Sequence, residues 1–328
     1  MKFFSEKFKD YLSIISIIVI IFFIWYIYWN LNNRNTVLQW FGRDTQKYEF
    51  ISSLLSCPQS SAIQDSRNVN LESKLQDFIQ NNNLNSGYNH ISLYFRDLNN
   101  GYRFWFNEKE VFTPASLTKV PTLIAVLKKS ESQKDLIYQS TKYSLPQVDY
   151  QVHYKPKYEI ESDKVYTIKQ LLEYMIKFSD NNATQILRNV LWSNRFEQTY
   201  KDLAISNSGL NTIKVLDYAS FFRVLYNASY LNKSNSEFAL NLLSQLDFKN
   251  WLPSWVPENI KVAHKFWEYS INWTVKQLHD CGIVYYPNHP YLICIMTRWT
   301  DYEELEWILS QTSKLVFTEV NQTYNEIK

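Results

Sequence analysis

Residues 71–328 predict an α+β domain, on three observations: apolar–polar alternation at both ends of the segment, helical apolar spacing between them, and a long helical run at the close. Leu71, Leu75, Phe78 and Ile79 share one helical face, and the asparagines at 81–83 stop that helix. Residues 90–98 alternate as a strand, Asn99-Asn100-Gly101 supplies a hairpin turn, and 102–106 resume the alternation. Thr167 and Gln170 have capping-box spacing ahead of Ile168, Leu171, Leu172, Met175 and Ile176. Ser179, Asp180 and Asn181 compete for helical hydrogen bonds, so that helix ends there and a new one starts at 182–190. Residues 262–267, 281–286 and 291–297 read as three strands, the last two around Pro287-Asn288-His289-Pro290, and 301–316 as the closing helix.

The chain has 328 residues, 45% of them apolar, with 34 basic against 32 acidic side chains. A formal charge of +2, with Lys and Arg scattered singly or in pairs, sets nucleic acid aside as a partner. No glycine-rich phosphate loop and no repeat of 20 to 50 residues is present. Cys57, Cys281 and Cys294 are too few and too dispersed for a disulfide framework or a four-ligand zinc site, so they read as packed or incidental thiols, with no metal and no cofactor implied.

Residues 11–29 form a 19-residue stretch without a charge, long enough to cross a hydrocarbon core. Lys2, Lys7 and Lys9 precede it and Trp25, Tyr26, Tyr28 and Trp29 close it, so it reads as a transmembrane signal anchor with residues 1–10 cytoplasmic. Residues 30–70, rich in Asn, Gln, Ser and Asp, read as an extracytoplasmic linker. Phe50, Ile51, Leu54 and Leu55 form an apolar cluster within it that suits docking either on the domain or on the membrane surface. These readings place the domain outside the cytoplasm.

Ser116-Leu117-Thr118-Lys119 runs directly into the apolar face of Val120, Leu123, Ile124 and Leu127. The serine therefore falls in a first helical turn with Lys119 on its own side. A serine needs a neighbour to take its proton, and a partly desolvated lysine, its pKa lowered, does this. A helix N-terminus adds N–H groups that favour a developing anion. Ser179-Asp180-Asn181 follows, and then Lys265 in a strand-like run.

Together these three motifs resemble those of the class A serine β-lactamases and the penicillin-binding DD-peptidases, over about residues 71–328. The resemblance implies a five-stranded antiparallel sheet flanked by helices, an α/β sandwich with an all-helical lobe over about 116–259. It implies Ser116 as nucleophile and Lys119 as its activating base. Ser179 would relay a proton to the leaving nitrogen, Asn181 would hold the acyl-amide group, and Lys265 would supply positive charge near a substrate carboxylate. The backbone N–H groups of Ser116 and Glu268 would form the oxyanion hole. The implied substrate is a β-lactam or a peptidoglycan-stem-peptide-like amide. Asp180 reads as a turn residue, and His264 has no role in the family's mechanism.

The sequence departs from this pattern in three ways. The family's deacylating loop glutamate has one formal match, Glu237 with Leu240 and Asn241, inside an ordinary amphipathic helix; Asp217 and Glu197 are the other candidates. Phe266 stands where the family carries a hydroxyl residue, and Trp267 where it carries a glycine along which substrate lies, so a side chain there threatens to fill the cleft. Average composition of about 7% glycine predicts about 23 glycines, whereas the chain has 5, against 11 tryptophans. Trp251, Trp255, Trp267 and Trp299, with Trp192 and Trp105 less clearly, sit where glycine is expected. An AT-rich gene in which UGA encodes glycine accounts for this, and the wealth of Asn, Lys, Ile and Tyr fits AT-rich coding.

Overall fold

The computed structural model describes residues 19–23, 25–26, 28, 48–52, 66–87, 89–144, 152–205, 212–271 and 274–325. The chain divides into two units, Met1–Ser56 and Cys57–Lys328. In the first, residues 19–23, 25, 26 and 28 are helical. Among the described residues no helix is long and apolar enough to cross a membrane, and most of the expected anchor, 11–29, lies outside them.

In the second unit five strands form one antiparallel sheet: β1 (His90–Asp97), β2 (Arg103–Phe106), β5 (Val262–Ile271), β6 (Val275–Val284) and β7 (Tyr291–Trp299), in the order β2-β1-β7-β6-β5. The helices are α1 (Ser66–Asn81), α2 (Lys119–Ser132), α3 (Ile168–Lys177), α4 (Asn181–Asp202), α5 (Val215–Tyr226), α6 (Lys233–Ser244) and α7 (Tyr302–Asn325). Helices α1 and α7, the first and last of this unit, cover one sheet face. Leu71, Leu75 and Ile79 of α1 and Leu305, Ile308, Leu309 and Val316 of α7 share a buried cluster with Leu93, Phe95, Leu278, Ile293 and Ile295 of the sheet. Each such side chain contributes about 1.5–3 kcal/mol when taken from water. Period-two alternation sends Tyr94 and Arg96 of β1 to the opposite face, where α5 crosses.

β5, β6, β7 and the closing helix run longer than their sequence patterns, whereas β1 and β2 are each one residue shorter. β6 begins at Val275 rather than at 281, because Gln277, His279 and Asp280 are buried polar residues that break apolar alternation. The lobe expected to be all-helical also carries a two-stranded ribbon, β3 (Ser140–Lys142) against β4 (Val165–Thr167), too short for a periodic signal. Thr167 does form the capping box, its side chain accepting from the Gln170 N–H.

Cysteine pairing is a further correction. Cys281 and Cys294 face each other in the β6–β7 register, both fully buried, and form a disulfide. Thirteen residues separate them in sequence, and only the strand register reveals that they meet.

Candidate active site

Ser116 lies in a 3-10 turn, Ala115–Thr118, that feeds α2, rather than in the first turn of the α-helix itself. The turn packs against β5, the outermost strand of the sheet. Ser116 is half-buried, whereas Lys119, at the start of α2, is fully buried. This places Ser116 nearer the surface, with Lys119 beneath it.

The second motif sits where α3 gives way to α4. Asp180 is the N-cap of α4: Oδ1 accepts from the Ala183 N–H at 3.0 Å, and Oδ2 accepts from the Ile160 N–H at 2.6 Å. Its role is structural, as the turn pattern indicates. Ser179 has φ of +59°, in the left-handed region that costs a serine roughly 1–2 kcal/mol. That backbone turn aims both the carbonyl and the hydroxyl of Ser179 at Lys119.

Lys119 Nζ donates to Ser179 O, to Ser179 Oγ at 3.0 Å and to Asn181 Oδ1 at 2.7 Å. Lys265 Nζ donates to the same Ser179 Oγ at 2.9 Å. Two lysine side chains therefore converge on one hydroxyl oxygen. Ser116 Oγ has no hydrogen-bond partner among the described residues, so the expected contact between Ser116 and Lys119 is absent in this arrangement, and Lys119 Nζ is instead turned to the second motif.

Burial pushes the Lys119 pKa well below the ordinary lysine value, with neighbouring Lys265 and Arg188 acting in the same direction and Asp180 and Glu268 opposing. Burial likewise brings Lys265 down to about 7, opposed by Asp280. Two lysines with depressed pKa values share one hydroxyl, an arrangement suited to moving a proton.

Glu268 follows Lys265 by three residues on β5. Its carboxylate accepts from the backbone N–H groups of His153 and Tyr154 at 3.0 and 2.8 Å, and burial raises its pKa. This strap was not legible in the sequence, because residues 152–160 carry no periodic pattern. Phe266 packs into an aromatic cluster with Phe248, Trp251 and Tyr154. Trp267 lies two residues from Lys265, on the same face of β5, and is 1% exposed, its ring 4.5 Å from His279 and stacked 5.8 Å from Tyr269.

The candidate deacylating carboxylates are scattered. Glu237 is on α6, where its helical pattern put it, Glu197 is exposed on α4, and Asp217 is in the first turn of α5, its pKa raised by burial. None is among the charges that shift Lys119 or Lys265. His264 pairs with Asp280 at 2.9 Å, both fully buried, and takes no part in the cleft. Asp280, Arg188 and the Glu268 carboxylate are the charged groups that sequence reasoning missed. Each acts through tertiary proximity to a lysine.

The family described as the beta-lactamase enzyme family matches residues 70–320. Among solved structures, a class A beta-lactamase from Bacteroides cellulosilyticus has a TM-score of 0.67 at 18% identity, covering 78% of this chain and 99% of its own. A beta-lactamase from Chitinophaga pinensis has 0.66 at 21% identity, covering 77% and 100%. PBP-A has 0.63 at 20% identity, covering 77% and 96%. At these identities the likeness is one of fold. No curated protein matches the chain.

Proposed function

The chain belongs to the beta-lactamase enzyme family, and from that premise we propose that it is a serine hydrolase forming an acyl-enzyme at Ser116 with β-lactams or D-alanyl-type amides. The observation that carries this reading is the shared hydrogen bonding of Ser179 Oγ by Lys119 and Lys265. In the proposed sequence, Ser116 Oγ attacks the amide carbonyl as its proton passes to neutral Lys119. Ser179 then gives its hydroxyl proton to the departing nitrogen and is re-protonated by one of the two lysines. The C–N bond breaks, a C–O bond to Ser116 remains, and the proton count balances. Backbone N–H groups of Ser116 and Glu268 stabilise the oxyanion.

Water must then cleave the ester. The two carboxylates that act on Lys119, Asp180 and Glu268, are each held by backbone N–H groups, which favours slow deacylation and hence a DD-carboxypeptidase or penicillin-binding behaviour over rapid β-lactam destruction. Anchoring through residues 11–29 with the domain outside the cytoplasm is part of the proposal. It is supported by the uncharged stretch and by the Cys281–Cys294 disulfide, a bond typical of oxidising compartments.

Intact-mass spectrometry before and after brief exposure to a penicillin tests the reading. A lasting adduct that maps to Ser116 and vanishes in Ser116→Ala is expected. No adduct with the drug consumed means an efficient β-lactamase with a deacylating base elsewhere. No adduct with the drug intact means a catalytically silent binding module of this fold.

A further inference from the structure

At the sheet edge away from β5, a cleft of about 280 Å3 opens between β1, β2 and α5. Leu216, Ala219, Ser220 and Arg223 line it from one face of α5, and Tyr94 and Arg103 line it from the strands. Arg96 is the direct cross-strand partner of Arg103, on the same sheet face. Three guanidinium groups thus converge, and among the described residues none of them has an ion pair or a side-chain hydrogen bond. Arg96 Nη1 is buried without an acceptor. The charges that act on Arg223 are those of Arg96 and Arg103, which oppose its ionisation, and of the Tyr94 phenol; no carboxylate is among them. Asp97, next in sequence, points to the other sheet face, where its carboxylate accepts from Tyr324 Oη at 2.7 Å and from the backbone N–H groups of Asn99 and Asn100.

Arg103 and Arg223 line the cleft with Tyr94 and Trp105, and Arg96 stands beside Arg103; three neighbouring cations with no carboxylate between them gain most from a multiply charged anion. Guanidinium forks match tetrahedral oxyanions bidentately. We propose that this cleft binds a phosphoryl group, as free phosphate or as the headgroup of a phosphate ester. Three to four strand spacings of about 4.8 Å put it roughly 15–20 Å from β5, so it is distinct from the serine site and independent of the acyl-enzyme reading.

Calorimetric titration of the full chain with inorganic phosphate and pyrophosphate, at constant ionic strength in chloride, tests this. Saturable binding is expected, weakened at least tenfold in Arg223→Gln and in Arg103→Gln. Arg103 is exposed, so its variant remains informative if Arg223→Gln does not fold. In chloride alone Arg223→Gln should melt at a higher temperature, because one of three mutually repelling cations is gone. Non-saturable heats, or affinity unchanged in Arg103→Gln, overturn the proposal. Tighter binding of glycerol phosphate than of inorganic phosphate identifies an ester headgroup as the ligand, and equal binding identifies free phosphate.

A second inference rests on a different observation. Trp251 has φ of +61° and a buried indole Nε1 with no acceptor. Left-handed backbone suits glycine and is an outlier for a bulky aromatic residue. With 5 glycines against 11 tryptophans in the chain, we infer that the codon at 251 encodes glycine in the native organism. Peptide masses from the native host should give glycine at 251; tryptophan there overturns the inference.

Discussion

Lys265 Nζ and Ser179 Oγ meet at 2.9 Å from positions 86 residues apart, one on the edge strand of the sheet and the other between two helices of the insert. That contact joins the two lobes at the one hydroxyl that Lys119 also holds.

The Lys265 pKa of about 7 gives a pH signature. Below it Lys265 carries the charge proposed to meet a substrate carboxylate, and above it the charge is lost. Acylation by a penicillin should therefore decline as pH rises through about 7, and Lys265→Met should lower the rate and remove that decline. Stability moves the other way. Between the folded value of about 7 and the ordinary 10.5 the unfolded chain binds the extra proton, so stability rises with pH across that window. Melting temperatures of the Lys265→Met variant should rise less over the same range.

Asp180 holds the Ala183 and Ile160 N–H groups. Asp180→Ala removes a helix cap and leaves a buried donor unpaired, at a cost of about 2–3 kcal/mol. Urea denaturation should show this loss, with Asp180→Asn losing less because it keeps an acceptor for the cap. Acylation should fall in parallel, since Ser179 and Asn181 flank the residue.

Gly282 has no room for a side chain. A Cβ there would lie 2.4 Å from His264 Cβ and 2.5 Å from Ala263 O, so β5 and β6 would have to separate. Gly282→Ala is expected to cost about 3 kcal/mol or to prevent folding, read from the urea midpoint or from soluble yield.

The buried Cys281–Cys294 bond closes a short stretch between paired strands. Replacing both cysteines with alanine should cost about 1–3 kcal/mol, less than a bond across an unpaired loop of the same length because the strands already meet. Alkylation under denaturing, non-reducing conditions should modify neither residue and should modify both after reduction.

The candidate site's residues were named from residue type and order, and four of them, Lys119, Ser179, Asn181 and Lys265, come together. Ser116, Lys119, Ser179, Asn181 and Lys265 stand in motifs whose spacing is local, and local spacing fixes which face of a turn or helix each occupies. The alternation of 90–98 and 291–297 and the capping box at Thr167 likewise gave strands and a helix start where they are, because nearest-neighbour backbone preferences govern them. What local spacing does not carry is distance between segments. Whether Lys119 turns to Ser116 or to Ser179, that Glu268 ties down residues 153 and 154, that Cys281 meets Cys294, and that Arg96, Arg103 and Arg223 converge without a carboxylate were decided by sheet register and helix packing. The lysine pKa values belong there too: they are set by burial and by neighbouring charges, and both exist only once the chain has closed around them.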